Sequence, residues 1–193
     1  MARPVEFDRD VVLQKAMQAF WEKGYNTTSV AALAEKTRLN PGSLYNAFQS
    51  KEALFLEAID HYGESGVRQL AVFLSGTQSA LSGLRQLFHQ LALDACKGGR
   101  ECTCFLVNTV LEVSRHQPAV RECVNKHLAA VEMLIRDALQ LAQAQGELDA
   151  NKDASALASF LICNIWGLRV LGGTAPSREK AMAIVSQTLS VLG

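Results

Sequence analysis

Apolar residues along this chain recur three and four positions apart, and stretches that alternate strictly between apolar and polar residues are missing. Over residues 8–23, for example, Leu13, Ala16 and Phe20 fall on one face of a helix that Gly24 would end. Ala, Leu, Gln, Glu and Lys are frequent, and there are only four prolines. The pattern predicts an all-α protein.

The same spacing divides the whole chain into about nine helices, separated by Gly, Pro, Ser and Asn. The predicted helices cover about residues 8–23, 29–36, 40–48, 51–75, 80–96, 103–115, 118–145, 152–171 and 177–192.

The third predicted helix is unusually short and has a well-defined start. Asn40 is a good N-cap, and Pro41 suits the first helical position because its missing N–H costs nothing there. Leu44 and Phe48, four residues apart, should turn inward. The outer surface of the helix then carries Gly42, Ser43, Tyr45 and Asn46.

A helix, a turn of about four residues (37–40) and a second helix form the layout of a helix-turn-helix DNA reader. The first turn of a recognition helix must be slim and polar to enter the major groove. Gly42 allows close approach of the backbone, Ser43 offers a hydrogen bond, and Tyr45 offers its hydroxyl to a phosphate.

The motif that extends this pattern is "AFWEKGYNTTSVAALAEKTRLNPGSLYNAFQSKEALF". With it, residues 8–62 resemble the N-terminal domain of the TetR/AcrR family of bacterial transcriptional regulators. The resemblance implies a homodimer whose two recognition helices meet successive major grooves of a palindromic operator in double-stranded DNA. By matching position, the DNA-facing residues are Thr28, Arg38, Gly42, Ser43, Tyr45, Asn46 and Lys51. Phosphate contacts are expected from Thr28, Tyr45 and Lys51, and base-edge contacts from Arg38, Ser43 and Asn46.

The resemblance also implies two domains, a helix-turn-helix DNA-binding domain over residues 1–50 and a helical effector-binding and dimerisation domain over residues 51–193. The last two predicted helices carry more apolar surface than one small domain covers, so two copies could close a four-helix bundle. The alternative is that one monomer buries all of this surface.

The stretch "ECTCFLVNTVLEVSRHQP" resembles a Gly-Cys-Leu-x-x-Asn segment found in one branch of the family, although Thr103 replaces the glycine. In some members of that branch, a cysteine here responds to electrophiles or oxidants. A helix N-terminus and nearby Arg100 would favour the thiolate of Cys104. Cys104 could therefore be a sensor, or it could be a small buried apolar residue.

An effector pocket needs a few polar groups among apolar and aromatic walls. Family analogy and helix spacing suggest Phe88, Cys104, Phe105, Asn108, His127 and Trp166 as its lining.

Metal binding has weak support in the sequence. Cys123 and His127 are four residues apart on one predicted helix, as are Glu112 and His116. Such pairs arise easily by chance, and no third spaced ligand accompanies them, so neither a metal nor another cofactor is predicted.

Composition limits the remaining possibilities. The net charge is zero, so DNA binding must come from local geometry rather than from a basic surface. Five cysteines without a CxxC pair are expected to be free thiols in a reducing compartment. There is no signal-peptide pattern, and the apolar run over residues 154–168 stops at Arg169. We therefore expect a cytoplasmic protein without membrane contact.

The leading hypothesis is a transcriptional repressor without catalytic activity, released from its operator by a small-molecule or thiol-reactive effector. One alternative is a thiol-dependent oxidoreductase using Cys102 or Cys104, but no nucleotide loop and no base for a nucleophile accompany these residues. Another is a helical protein–protein adaptor, which would leave the polar helix at residues 40–48 without a purpose.

Overall fold

A computed structural model describes residues 7–99, 102–112 and 117–193 of the chain. Within these ranges the protein is all-α, as predicted, with nine α-helices and no strand. The helices are α1 (Arg9–Lys23), α2 (Val30–Thr37), α3 (Pro41–Phe48), α4 (Lys51–Ser75), α5 (Ala80–Lys97), α6 (Phe105–Glu112), α7 (Pro118–Ala144), α8 (Ala154–Gly172) and α9 (Arg178–Leu189), followed by a 3-10 turn at Ser190–Leu192.

The N-terminal helices begin at the capping residues that the sequence indicates. The Asp8 side chain accepts hydrogen bonds from the backbone N–H groups of Asp10 and Val11 at the start of α1. Asn40 Oδ1 accepts from the Ser43 N–H at 2.8 Å at the start of α3. These side chains satisfy amide groups that have no partner inside the helix, which fixes where each helix starts.

Several helix boundaries differ from the sequence prediction. The turn between α2 and α3 has three residues rather than four, because Thr37 stays helical and its hydroxyl donates to the Leu33 carbonyl at 2.7 Å. Helix α8 starts at Ala154 rather than about residue 152, because Asp153 caps it. Helix α6 starts at Phe105 rather than Thr103, and its predicted end at residues 113–115 lies outside the described residues.

Contacts divide the chain into two compact units, which we call unit 1 (Met1–Ser65 and Asn108–His127) and unit 2 (Gly66–Val107 and Leu128–Gly193). The core of unit 1 is aromatic. The ring centroids of Phe20 and Phe55 are 4.8 Å apart, and those of Tyr25 and Phe55 are 4.6 Å apart. Such ring pairs stabilise a core beyond the area that they bury. The predicted domain boundary at residue 50 stays a prediction.

Unit 2 has an aliphatic core in which α5 packs against α8 and α9. Phe88 and Leu161 are fully buried at its centre. Gly172 at the end of α8 approaches the backbone closely, since a Cβ there would lie 2.9 Å from the Cys102 carbonyl oxygen. Glycine is therefore required for this packing.

Helix α8 has the length and apolar composition of a membrane-crossing helix, with 19 residues and a mean hydropathy of 1.6, and it is the single such helix within the described ranges. The apolar run that was expected to stop at Arg169 continues as a helix through that one charge to Gly172. Core helices of soluble proteins share this character, and Leu161 and Leu168 are buried in unit 2. Of the residues in this stretch 28% are buried, and Phe160 and Val170 remain 43% and 53% exposed.

Candidate nucleic-acid interface

Helix α3 has one buried and one exposed side. Leu44 and Phe48 are only 4% and 2% exposed and anchor the helix to unit 1. Gly42, Tyr45 and Asn46 are exposed, and Tyr45 retains 48% of its accessible surface. The sequence prediction of an anchored helix with a polar outer surface is therefore matched by the observed burial.

Arg38 and Ser43 flank this exposed surface. Arg38 ends α2 in the left-handed conformation, with φ at 62°, and is exposed. A non-glycine residue in this region is uncommon, and here it allows the turn to be short. Ser43 is partly buried, and its backbone N–H is already bonded to the Asn40 cap.

Thr28 has a different environment from the one expected of a phosphate ligand. Its side chain is fully buried, and its hydroxyl donates to the Gly24 carbonyl at 2.6 Å and lies 3.4 Å from the Ala19 carbonyl. In this position the Thr28 hydroxyl is bonded to the backbone and is not exposed to solvent. The geometry argues against the predicted contact and makes Thr28 a residue that holds the α1–α2 turn.

Lys51, the other predicted phosphate ligand outside α3, lies at the start of α4. Its ammonium nitrogen is 4.3 Å from the centroid of the Tyr25 ring, a cation–π contact. Partial burial lowers the pKa of Lys51, and the Glu112 carboxylate opposes part of this shift. The ring contact holds the ammonium beside the turn that follows α1.

An ion pair between α1 and α4, which the sequence did not indicate, contacts α3 through the Phe48 ring. Arg9 on α1 binds Glu57 on α4 through two nitrogens, with Nη2 to Oε2 at 2.6 Å and Nε to Oε2 at 3.2 Å. The same guanidinium lies 4.3 Å from the centroid of the Phe48 ring. No local pattern indicates a pair 48 residues apart, although both charges are visible in the sequence.

Glu112 at the end of α6 contacts the turn after α1. Its Oε1 accepts from the Asn26 N–H at 3.1 Å. A Cβ on Gly24, whose φ is +80°, would lie 2.8 Å from the same oxygen. Glu112 thus acts here as a structural partner rather than as half of a metal-binding pair, and His116 lies outside the described residues.

Two protein families match separate parts of this chain. Residues 12–58 match the family described as bacterial regulatory proteins, tetR family, and residues 80–179 match the tetracyclin repressor-like C-terminal domain. The chain is 32% identical over 188 residues to the HTH-type transcriptional repressor ComR of Escherichia coli K12, covering 97% of this chain and 90% of the relative. This protein belongs to the TetR family.

Two further relatives cover the whole chain. The uncharacterized HTH-type transcriptional regulator YezE of Bacillus subtilis is 28% identical over 193 residues and is covered completely. A cysteine mutant of the TetR family regulator CifR, solved in complex with 26-bp double-strand operator DNA, superposes with a TM-score of 0.86 at 34% identity and full coverage of both chains. The protein is therefore a DNA-binding transcriptional regulator with a helix-turn-helix.

In this TetR family chain, the six predicted effector-pocket residues are divided between the two units. Phe88, Cys104, Phe105 and Trp166 belong to unit 2, whereas Asn108 and His127 belong to unit 1. Phe88 is fully buried, Phe105 is 2% exposed, and Trp166 packs against the unit 2 core. Cys104 is half-buried and directly precedes α6.

A surface depression of about 350 Å³ lies elsewhere in unit 2. It is lined by Cys163, Asn164, Gly167, Leu168, Leu171 and Ile184, none of which the sequence analysis assigned to a pocket. The depression therefore lies along α8 and α9.

His127 is one corner of a polar cluster in unit 1. Its Nε2 lies 2.7 Å from Asp60 Oδ1, and Lys126 Nζ donates to the same oxygen at 2.8 Å. The thiol of Cys123, 3.9 Å from that oxygen, completes the cluster. His127 is 2% exposed, and its ring lies against Gly63, where a Cβ would be 2.6 Å from Nδ1.

The cluster perturbs its own ionisable groups. The hydrogen bond from Lys126, with a smaller contribution from His127, lowers the pKa of Asp60. Burial, together with the neighbouring Asp60 charge, raises the pKa of Cys123 to about 11. At neutral pH the Asp60 carboxylate is thus ionised and the Cys123 thiol is protonated. Cys123 and His127 form a pair that is visible in the sequence, whereas Asp60 comes from another helix and no spacing along α7 indicates it.

Proposed function

We propose that this TetR family regulator is a homodimeric repressor that binds a palindromic operator in double-stranded DNA and releases it when an effector binds. The observation that carries the proposal is the two-sided helix α3, anchored by Leu44 and Phe48 while Gly42, Tyr45 and Asn46 face solvent. A helix of this kind can enter a major groove by its N-terminal turn without loss of its packing.

The proposed division of roles follows from exposure and chemistry. Arg38, Ser43 and Asn46 contact base edges, because each carries a side chain that can donate to them. Tyr45 and Lys51 contact phosphates through a hydroxyl and an ammonium group, which positions the helix without reading sequence. Thr28 holds the turn from its buried position and contacts no DNA through its hydroxyl.

Dimerisation through the two C-terminal helices is supported by uncovered apolar surface. On α8, Phe160 is 43% exposed and Val170 is 53% exposed. A second copy related by a two-fold axis would cover both faces at once and close a four-helix bundle. The two-fold axis also provides two copies of α3, as a palindrome with half-sites about 34 Å apart requires.

The effector is proposed to be a small molecule or a thiol-reactive compound that acts through residues of the helical part of the chain. Cys104 is half-buried beside the start of α6, and within unit 2 the proposed lining adds Phe88, Phe105 and Trp166. Asn108 and His127, the other two residues expected from the sequence, belong to unit 1. Arg100, the proposed charged neighbour of Cys104, lies outside the described residues. The proposal includes no catalytic step and places the protein in the cytoplasm.

Fluorescence anisotropy on inverted repeats upstream of the protein's own gene tests the DNA-binding roles. Ser43→Ala and Asn46→Ala should change the base preference, whereas Tyr45→Phe should weaken binding to all sequences alike. Gln140→Ala, an exposed position on α7, is the matched control and should bind as the wild type does. Uniform loss from all three variants would refute the division of roles, and absence of specific binding to any repeat would refute the repressor.

The salt dependence of operator binding tests how many phosphates the protein neutralises. Because the net charge is zero, few phosphates are neutralised, and the slope of log K against log salt should be well below about 10 in magnitude. A slope of about 10 would mean that an extended basic face binds DNA.

Cys104→Ser tests the thiol as a switch. If a mild oxidant or electrophile releases the wild type, a reductant restores binding, and the variant is unaffected, the effector class is reactive small molecules. If both proteins hold the operator equally, the effector binds without reacting with this thiol.

A further inference from the structure

We propose that Asp60, Cys123 and His127 form a binding site for a divalent cation of the zinc class, and that occupation of this site weakens operator binding. The site lies within unit 1, and its effect on operator binding rests on the proposed repressor function. The donor atoms of the three residues all lie within 4.8 Å of one another.

The distances are close to those of a tetrahedral site. With metal–ligand bonds of about 2.0–2.3 Å, tetrahedral angles require about 3.4 Å between nitrogen and oxygen and about 3.6 Å between sulfur and oxygen. The observed separations are 2.7 Å for His127 Nε2 to Asp60 Oδ1 and 3.9 Å for Cys123 Sγ to the same oxygen. Small side-chain rotations that open the first pair and narrow the second would admit an ion.

The donor set selects a class of cation. One thiolate, one imidazole and one carboxylate suit zinc and its neighbours in the first transition row, whereas Mg²⁺ and Ca²⁺ prefer oxygen ligands alone. Three protein ligands leave the fourth position of a tetrahedral ion for water. When the metal–sulfur bond forms, the Cys123 thiol loses its proton to solvent. His127 binds as a neutral imidazole through Nε2, with its proton on Nδ1, and Asp60 is already a carboxylate.

The protein holds two ligands in advance on one helix face. Cys123 and His127 are four residues apart on α7, so both project toward α4 at Asp60. The His127 ring is fixed by burial against Gly63, where any larger residue would overlap it. Fixed ligands lose little conformational entropy when the ion binds.

Lys126 marks the route of entry. Its side chain is 61% exposed, and it donates to the same Asp60 oxygen that the ion requires. An entering cation replaces the ammonium group, which moves into water with its proton. Lys126 therefore competes with the metal, both for the oxygen and through charge repulsion.

Within unit 1, the site is connected to the reading helix through α4. Glu57, one turn before Asp60, binds Arg9, whose guanidinium lies over the Phe48 ring of α3. The ion widens the pair between Asp60 and His127 from 2.7 Å to about 3.4 Å, and the part of this change that side-chain rotation does not absorb shifts α4 against these contacts. Since a small displacement of a recognition helix forfeits its phosphate register, operator binding should weaken.

Metal binding is tested first without DNA. The reduced protein is titrated with Zn²⁺ against a chromophoric chelator, and with Co²⁺ to record optical spectra. We expect one ion per chain, visible bands of a tetrahedral cobalt site, and a thiolate-to-cobalt charge-transfer band. Cys123→Ser should remove the charge-transfer band and weaken Zn²⁺ binding by at least about tenfold, because a ligand is lost.

Matched variants keep this test falsifiable. Cys163→Ser removes an exposed thiol in unit 2 and should leave the spectrum and the affinity unchanged. Lys126→Ala, at an exposed position that should not affect folding, should strengthen Zn²⁺ binding by roughly two- to fivefold because the competing ammonium is gone. A charge-transfer band that survives in Cys123→Ser, or Lys126→Ala binding more weakly than wild type, would overturn the site.

The regulatory statement has its own measurement. Operator anisotropy is compared with and without Zn²⁺ for the wild type and Cys123→Ser. We expect a fall in affinity of at least about tenfold in the wild type alone, within the usual range of coupling between sites. If the protein shows the cobalt bands but its operator affinity does not change with Zn²⁺, the site binds metal and the proposed effect on DNA binding is wrong. If the metal-free protein binds no operator, the proposed repressor function is wrong. The cobalt spectra would still show whether the metal site exists.

Discussion

Helix α3 and the cluster of Asp60, Cys123, Lys126 and His127 lie in the same unit of the protein, but their polar groups differ in exposure and in hydrogen bonding. On α3, Tyr45 and Asn46 are exposed and available to an external partner. In the cluster, Asp60 and His127 are bonded to each other at 2.7 Å, and His127 is almost completely buried. A surface that reads DNA must keep its hydrogen-bonding groups open, whereas a buried polar group is stable only when its partners are internal. Tyr45 and Asn46 can therefore be substituted without harm to folding, whereas the buried His127 cannot.

Thiol reactivity should show the largest contrast. Burial raises the pKa of Cys123 to about 11, so at neutral pH it should hold roughly a hundredfold less thiolate than an ordinary cysteine. At neutral pH we expect iodoacetamide to modify Cys123 much more slowly in the folded protein than in urea-denatured protein, as followed by mass spectrometry of the peptides. The Cys123 rate should rise about tenfold per pH unit from about pH 8 to 10, because the thiolate fraction rises below the pKa. Equal rates at neutral pH would mean that the cluster is open.

Two glycines on α4 provide a matched pair for stability. In Gly63→Ala, the new methyl group would overlap the His127 ring, and we expect a loss of about 1–2 kcal/mol in the free energy of unfolding. Gly66 has no atom within 4 Å of such a methyl group, so Gly66→Ala should instead stabilise the protein by up to about 1 kcal/mol. Urea denaturation of both variants measures the difference. Equal effects would show that the ring of His127 is not held in place.

On the exposed surface of α3, Asn46→Ala should weaken specific operator binding by about tenfold, because the variant loses one contact to a base edge. The midpoint of its urea denaturation should not change, because the Asn46 side chain is exposed. The two measurements together separate a reading residue from a packing residue. A loss of stability without a loss of base preference would place Asn46 with the second group.

The smallest expected effect on stability is at Asn40, which is exposed like the residues of α3 and yet has an internal hydrogen-bond partner like those of the cluster. Asn40 caps α3 by accepting from the Ser43 N–H, and it is exposed. Asn40→Ala should cost about 1 kcal/mol of stability and Asn40→Asp much less, because aspartate also caps helices. Thermal unfolding of the two variants is the measurement. If both lose the same stability, the cap does not hold the helix.

Signals that act over a few residues were readable from the sequence. Asn40 and Pro41 gave the start of α3, and the spacing of Leu44 and Phe48 gave its buried side, because helix geometry relates residues three and four apart. The burial of the Thr28 hydroxyl was not readable from the sequence, since its hydrogen bond to the Gly24 carbonyl depends on how the α1–α2 turn closes. The resemblance to the family supplied a position, but the environment of the side chain came from packing.

The sequence by itself determined that the chain is helical, where most helices begin, and that α3 has a polar outer surface. The tertiary structure decided which distant residues meet: Arg9 with Glu57, Glu112 with the Asn26 N–H, and Asp60 with Cys123 and His127. Helical periodicity is a local property, fixed by 3.6 residues per turn. A contact between residues about 50 to 90 positions apart depends on how helices pack, and no spacing rule along one helix contains that information.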